Sequence, residues 1–313
     1  MKRSLSLLCA FLFAAWPAHA ASDLEKKIDA MAASYDGHVA LYAKNLTTGE
    51  TVSLDPMKPV QTASVIKLAM MLQAFEQVHA GKLKLTQPVA LTKENQVGGS
   101  GILAIMDPGL TLKLKDTITL MMTLSDNTAT NMMIDTVGLK PTNDMLAAMG
   151  LKNTYFYKKV FKPADGPMPE DQKTFGLGKT TAEEISRLME SIYRCDLGDS
   201  DLCLQMITIM RNQQYRAMLP RYLERPDTSE TLSAIADKIG ALDDVRNDVA
   251  LVYTQHGPVI ISIFTYDNAD KSWTPENKAE ILIGRMAQTI VKEWSPEGLA
   301  AKVTDPVGTS AGK

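Results

Sequence analysis

The chain has 313 residues, 45% hydrophobic and 22% charged, with 33 basic side chains against 36 acidic ones and a formal charge of −3. This balance argues against nucleic acid or an anionic membrane as the main partner, and the length is ample for a sizeable core. Beyond the N-terminal leader no stretch approaches 18 uninterrupted apolar residues, so no membrane-spanning helix is expected.

Met1-Lys-Arg, an apolar run from Leu5 to Trp16 and Ala18-His-Ala20 read as a secretory signal over residues 1–20. Its removal takes Lys2 and Arg3 and leaves a charge of −5. The expected address is the periplasm. Cys9 leaves with the leader, so Cys195 and Cys203 are the candidates for a short-range disulfide in an oxidising compartment.

Ala21 to Ser34 reads as an amphipathic helix, with Ser22 and Asp23 near its start. Gly37–Lys44 and Glu50–Leu54, joined by a turn at Asn45–Gly49, read as a strand pair. Gln61–Phe75 then carries Ser64 and Lys67 on a helix expected to begin at or just before Ser64 and to close at Gly81. A spacing of three places both side chains on one face. At a helix start, free N–H groups and the positive dipole end suit a hydroxyl that must become an alkoxide, and a nearby amine of lowered pKa can take its proton. Ser310-Ala-Gly-Lys313 fits the same S-x-x-K pattern with no helix to make it useful.

From Leu83 to Gly198 the pattern is helices and loops with no clear strand pair. Met70, Met71, Met121, Met122, Met132 and Met133 read as adaptable core filler. Ser125-Asp-Asn127 falls in the turn between helices at Lys115–Leu124 and Thr128–Val137, where capping alone would also favour it. After Ser229 come the β-rich runs Thr231–Lys238, Asp248–Tyr253 and Pro258–Thr265, then a closing helix over Pro275–Trp294. Lys238-Ile-Gly240 is expected to end the first of these strands. Gly178-Lys-Thr-Thr181 lacks the first glycine of a phosphate loop, since residue 173 is Lys. With only His38, His79 and His256 after the leader, and no paired metal-ligand spacing, no metal site or cofactor is expected.

Ser64/Lys67, Ser125/Asn127 and Lys238/Gly240 occur in the order of the penicillin-recognising serine enzymes. Gly99-Ser-Gly-Ile-Leu, Asp107-Pro-Gly, Ser125–Asn131 and Arg246-Asn-Asp-Val-Ala-Leu251 strongly resemble class A β-lactamases, and the resemblance spans roughly Leu24 to Trp294. It implies an α/β chain of the α+β type, with an antiparallel sheet from both chain ends, flanking helices and an all-helical lobe. The lobes are expected at 21–60 with 215–295 and at 61–214, followed by a tail over 296–313. It implies Ser64 as nucleophile, Lys67 as proton acceptor, Ser125 as relay, Asn127 as substrate amide contact and Lys238 as holder of negative charge. The N–H groups of Ser64 and Ala241 would form the oxyanion hole, beside Gly240, with Arg246 on the substrate carboxylate. The substrate would be a β-lactam or a cell-wall peptide and the protein a monomer.

Two positions depart from the pattern. Ile239 stands where a hydroxyl residue is usual, and the E-x-x-L-N element has no match before Thr180. Aligning Gly150–Thr154 puts Lys159, Val160 and Phe161 near the expected Glu, with Asp165, Glu170 and Asp171 as substitute candidates for the deacylation base. Hydrolysis, a penicillin-binding D-alanyl peptidase-like activity and slow covalent binding all remain open on these residues.

Overall fold

Runs rich in strand-forming apolar residues at both ends of the chain build one antiparallel sheet. Its strands are β1 (His38–Asn45), β2 (Thr51–Leu54), β3 (Ile235–Leu242), β4 (Val245–Thr254) and β5 (Gly257–Tyr266), in the spatial order β2-β1-β5-β4-β3. Pairing of β1 with β5, from His38 opposite Tyr266 to Asn45 opposite Val259, joins the two ends of the sequence. The computed structural model describes residues 22–223, 232–303 and 307–308. The leader over 1–20, Thr231, and the second S-x-x-K at Ser310 and Lys313 lie outside the described residues.

The principal helices are α1 (Asp23–Ala33), α2 (Lys67–His79), α3 (Leu114–Thr123), α4 (Asn127–Val137), α5 (Leu139–Ala148), α6 (Ala182–Arg194), α7 (Ser200–Arg211) and α8 (Lys278–Trp294). Their starts follow capping chemistry. Ser22 forms a reciprocal capping box with Glu25, and Asp126, Thr181, Asp199 and Asn277 each accept a first-turn N–H. Helices α1 and α8 cover one sheet face, where Ile28, Leu41, Ile261, Ile263 and Ile283 are buried together. The other face meets α6 through Ala40, Leu251, Phe264, Ile185 and Leu188, and α7 packs against β3. Covered on both sides, β4 is buried at every position. All six methionines named above are buried in the helical core.

Three features differ from the sequence reading. Short ladders pair Pro88–Ala90 with Thr111–Lys113, and Gly178–Thr180 with both Tyr155–Phe156 and Val60–Gln61. Two or three residues carry too little alternation to be legible. Lys238 lies inside β3 rather than at its end, because Leu242 still pairs with Val245 and the turn falls at Asp243-Asp244. The segment carrying Ser64 opens with a 3₁₀ turn, Ala63–Ile66, before the α-helix begins at Lys67.

Cys195 caps the end of α6 in the left-handed region and is bonded to Cys203 on α7, with Cα atoms 5.6 Å apart. Among the described residues no helix is long and apolar enough to cross a membrane, and no group of three or more metal-ligating side chains comes together.

Candidate active site

The 3₁₀ turn presents Ser64 half-buried at the foot of α2, one turn from the fully buried Lys67. Ala63 holds φ of 45°, a strained value for a residue with a Cβ, and Ser125 holds 53°. The two strained residues sit immediately before Ser64 and at the head of the turn facing it. Thr62 N–H donates to the Gly178 carbonyl at 3.0 Å, which ties the turn to the short ladder behind it.

Edge strand β3 closes against the same turn. A Cβ on Gly240 would stand 2.5 Å from the Thr62 carbonyl oxygen and 3.1 Å from the Ser64 and Val65 nitrogens, so only glycine lets the strand approach this closely. Asn247, across the ladder from Gly240, donates to the Gln61 carbonyl at 2.8 Å and adds a second tie.

Asp126 organises the third wall. It caps α4 through Ala129 N–H, and its other oxygen accepts from Ile102 and Leu103 N–H at 2.7 and 2.9 Å. Gly101 packs against that carboxylate so closely that a Cβ would fall 2.2 Å from it. Asn127 N–H donates to the Ser100 carbonyl and its side-chain amide to Gly98, which fixes the Gly99–Ser100 loop beside Ser64.

Two lysines converge on Ser125. Lys67 Nζ lies within hydrogen-bond distance of the Ser125 carbonyl at 2.7 Å, Ser125 Oγ at 3.2 Å and Asn127 Oδ1 at 3.0 Å. Lys238 Nζ donates to Ser125 Oγ at 3.0 Å and to the Ile239 carbonyl at 2.8 Å. Burial, and then the charge of Lys238, hold Lys67 well below the ordinary lysine value, against a smaller opposing pull from Asp126. Burial also lowers Lys238, to about 7, against the attraction of Asp237 and Asp248. Both amines facing the Ser125 hydroxyl are therefore held below the ordinary lysine range.

Ser64, Gly99, Ser100, Ala241 and Trp273 border two adjoining clefts. One, of about 620 Å³, is also lined by Asn127, Val160, Phe161, Asp243 and Asp244. The other, of about 520 Å³, adds Ser125, Ile239, Gly240 and Glu280.

Arg246 is not on either wall. Its guanidinium is fully buried, and it donates to Glu280 and to the carbonyls of Leu242, Val245 and Ser272. Asp165, Glu170 and Asp171 are also elsewhere. Asp165 lines a separate cavity with Tyr155 and Tyr157, and Glu170 is exposed. Asp171 is bonded to Lys179 and, at 2.8 Å, to the Tyr157 hydroxyl; the Lys179 bond holds its carboxyl below the ordinary range. The loop crosses the cleft instead with Val160, whose N–H and C=O both pair with the buried amide of Asn131.

Asn131, Trp273 and Glu280 were missed in the sequence. Asn131 stands four residues after Asn127 on one helix, a spacing that could have flagged it. Nothing local to Trp273 or Glu280 marks them as cleft residues.

A model of the β-lactamase enzyme family matches residues 23–294. Among solved structures, a β-lactamase from Sphaerobacter thermophilus superposes with a TM-score of 0.74 at 25% identity, over 86% of this chain and 96% of that one. A mutant of PBP-A, as its acyl-enzyme complex with penicillin G, gives 0.74 at 22% identity over 87% and 96%. An ancestral class A β-lactamase gives 0.73 at 17% identity over 87% and 100%.

Proposed function

The chain belongs to the β-lactamase enzyme family, and from that premise we propose that it is an exported serine hydrolase acylated at Ser64 by β-lactams. The carrying observation is the pair of buried amines converging on Ser125 beside Ser64. In acylation the Ser64 hydroxyl gives its proton to neutral Lys67 and its oxygen bonds to the β-lactam carbonyl carbon. The N–H groups of Ser64 and Ala241 receive the oxyanion, an effect worth about 2.7–4 kcal/mol per donor in a comparable enzyme. The C–N bond then breaks, and Ser125 passes a proton to the leaving nitrogen while a lysine replaces it. Asn127, held by Lys67 and Gly98, orients the substrate amide.

Water then hydrolyses the acyl ester to complete turnover. Because Val160 occupies the loop position facing the cleft and none of Asp165, Glu170 or Asp171 lines it, this release is the slow step. The same observation favours a second reading, a penicillin-binding D-alanyl peptidase-like enzyme or slow covalent binder of β-lactams and wall peptides. Export through the 1–20 leader, a periplasmic address, a monomeric state and the lobe boundaries at 60/61 and 214/215 belong to this proposal.

Intact-mass spectrometry of the mature protein with a penicillin and a cephalosporin tests it. A transient adduct with steady drug loss supports the hydrolase, and a stable adduct at one equivalent supports the binder. Labelling that persists in Ser64→Ala would overturn both.

A further inference from the structure

The resemblance leads one to expect Arg246 free for a substrate carboxylate, but the folded chain consumes it. Its Nε donates to Glu280 Oε1 at 3.2 Å and one terminal nitrogen to the Ser272 carbonyl at 2.7 Å. The other terminal nitrogen donates to the Leu242 and Val245 carbonyls. The Trp273 ring covers the guanidinium with its centroid 4.4 Å away. No fraction of the Arg246 side chain is exposed.

Glu280 is on the other side of this arrangement. It lines the cleft that holds Ser64 and Ser125, and its side chain retains 14% exposure. The neighbouring wall residue is Ile239, which has no hydroxyl to offer. Lys238 is fully buried, and two of its N–H donors are taken by Ser125 Oγ and the Ile239 carbonyl.

We propose that Glu280 is a specificity-determining residue: by fastening Arg246 inward and standing on the cleft wall itself, it makes Ser64 accept acyl donors whose leaving-group side carries no carboxylate. Esterified, amidated or cationic groups on that side are the preferred class. A carboxylate brought to this wall meets an ion pair whose exposed member is the anion, with the Arg246 guanidinium buried behind it. Asp243 and Asp244, on the adjoining cleft, deepen the same bias.

This inference rests on the acylation of Ser64 proposed above. The test compares benzylpenicillin with its methyl ester, following adduct formation by intact mass and normalising each compound to its rate of hydrolysis by hydroxide. The native protein should label no faster with the acid than with the ester. Glu280→Gln, which keeps the shape and removes the charge, should raise the acid-to-ester ratio by about tenfold, the effect of one charged hydrogen bond. Trp273→Ala, at a position 65% exposed, uncovers Arg246 without cutting the buried ion pair and should raise the ratio in the same direction. A native ratio of about ten or more, typical of a recovered charged contact, or a ratio unchanged in both variants, overturns the inference while leaving the hydrolase reading intact. No Ser64 adduct with either compound overturns both.

Discussion

Asn131 holds Val160 by both of its backbone polar groups: Val160 N–H donates to Asn131 Oδ1 at 2.8 Å, and Asn131 Nδ2 donates to the Val160 carbonyl at 3.2 Å. Asn131 is fully buried on α4, so the loop is fastened to the same helix that begins at Asn127. This fixes residue 160 on the cleft wall and gives that place a hydrocarbon side chain.

The same two bonds should hold the backbone that carries a carboxylate put there. Val160→Glu is expected to shorten the lifetime of the acyl-enzyme by about 10²–10⁴, the range of a positioned general base. The decay of the adduct mass after removal of free drug measures it. An unchanged lifetime with intact acylation would show that the deacylating water does not approach from this loop.

Gly240 is a second point of geometric control. Gly240→Ala puts a Cβ 2.5 Å from the Thr62 carbonyl oxygen, so β3 must draw back from the turn that presents Ser64. Overpacking of this kind costs about 1–3 kcal/mol of stability. Separation of Ala241 from Ser64 should slow acylation by about 10²–10³, as for loss of an oxyanion donor. Stopped-flow acylation together with a melting curve separates the two effects.

Much of this site is legible in local spacing. Ser64 and Lys67 are three apart, Ser125 to Asn127 occupy one interhelical turn, and Lys238 to Gly240 run along one strand, so their neighbours in sequence largely set their directions. The sheet is legible because β1, β4 and β5 are β-rich runs bounded by turn signals. Arg246 is different. Whether it faces a substrate or the interior depends on Ser272, Trp273 and Glu280, which lie 26 to 34 residues further along. The acids at 165, 170 and 171 follow a loop whose path is set by Asn131 and by the Lys179–Asp171 pair, not by their own composition.

On the proposed mechanism the two lysines give acylation a defined pH profile. Lys67 must be neutral to take the Ser64 proton, and burial keeps its pKa well below 10.5, so the rate should rise with pH and level off far short of ordinary lysine titration. Lys238 should lose its proton near pH 7, and with it the supply of protons through Ser125, which bends the profile down on the alkaline side. The two apparent values belong to the coupled pair. Acylation rates measured across this range should therefore be bell-shaped for the native protein, while Lys238→Ala should be slower and lack the descending limb.

Beneath Lys238, on the neighbouring strand, Asp248 is fully buried opposite Ile239. One oxygen accepts Leu219 N–H at 3.0 Å, and Oδ1 has no hydrogen-bond partner among the described residues. Burial pushes its carboxyl up to about 7, against the Leu219 hydrogen bond and the smaller opposing pulls of Arg216 and Lys238. The native state thus binds this proton more tightly than the unfolded chain, whose value is near 3.8. The resulting stability is fully present below the unfolded value and is lost as pH rises through about 7. Asp248→Asn keeps an acceptor for Leu219 and never ionises, so its melting temperature should gain on the native protein as pH rises from acid to mildly alkaline. In a chain of this size each kcal/mol corresponds to roughly 2–4 °C. Parallel melting curves across that range decide the matter. A difference that does not change with pH would mean that Asp248 remains ionised throughout, held by Lys238 and Arg216 more strongly than burial opposes it.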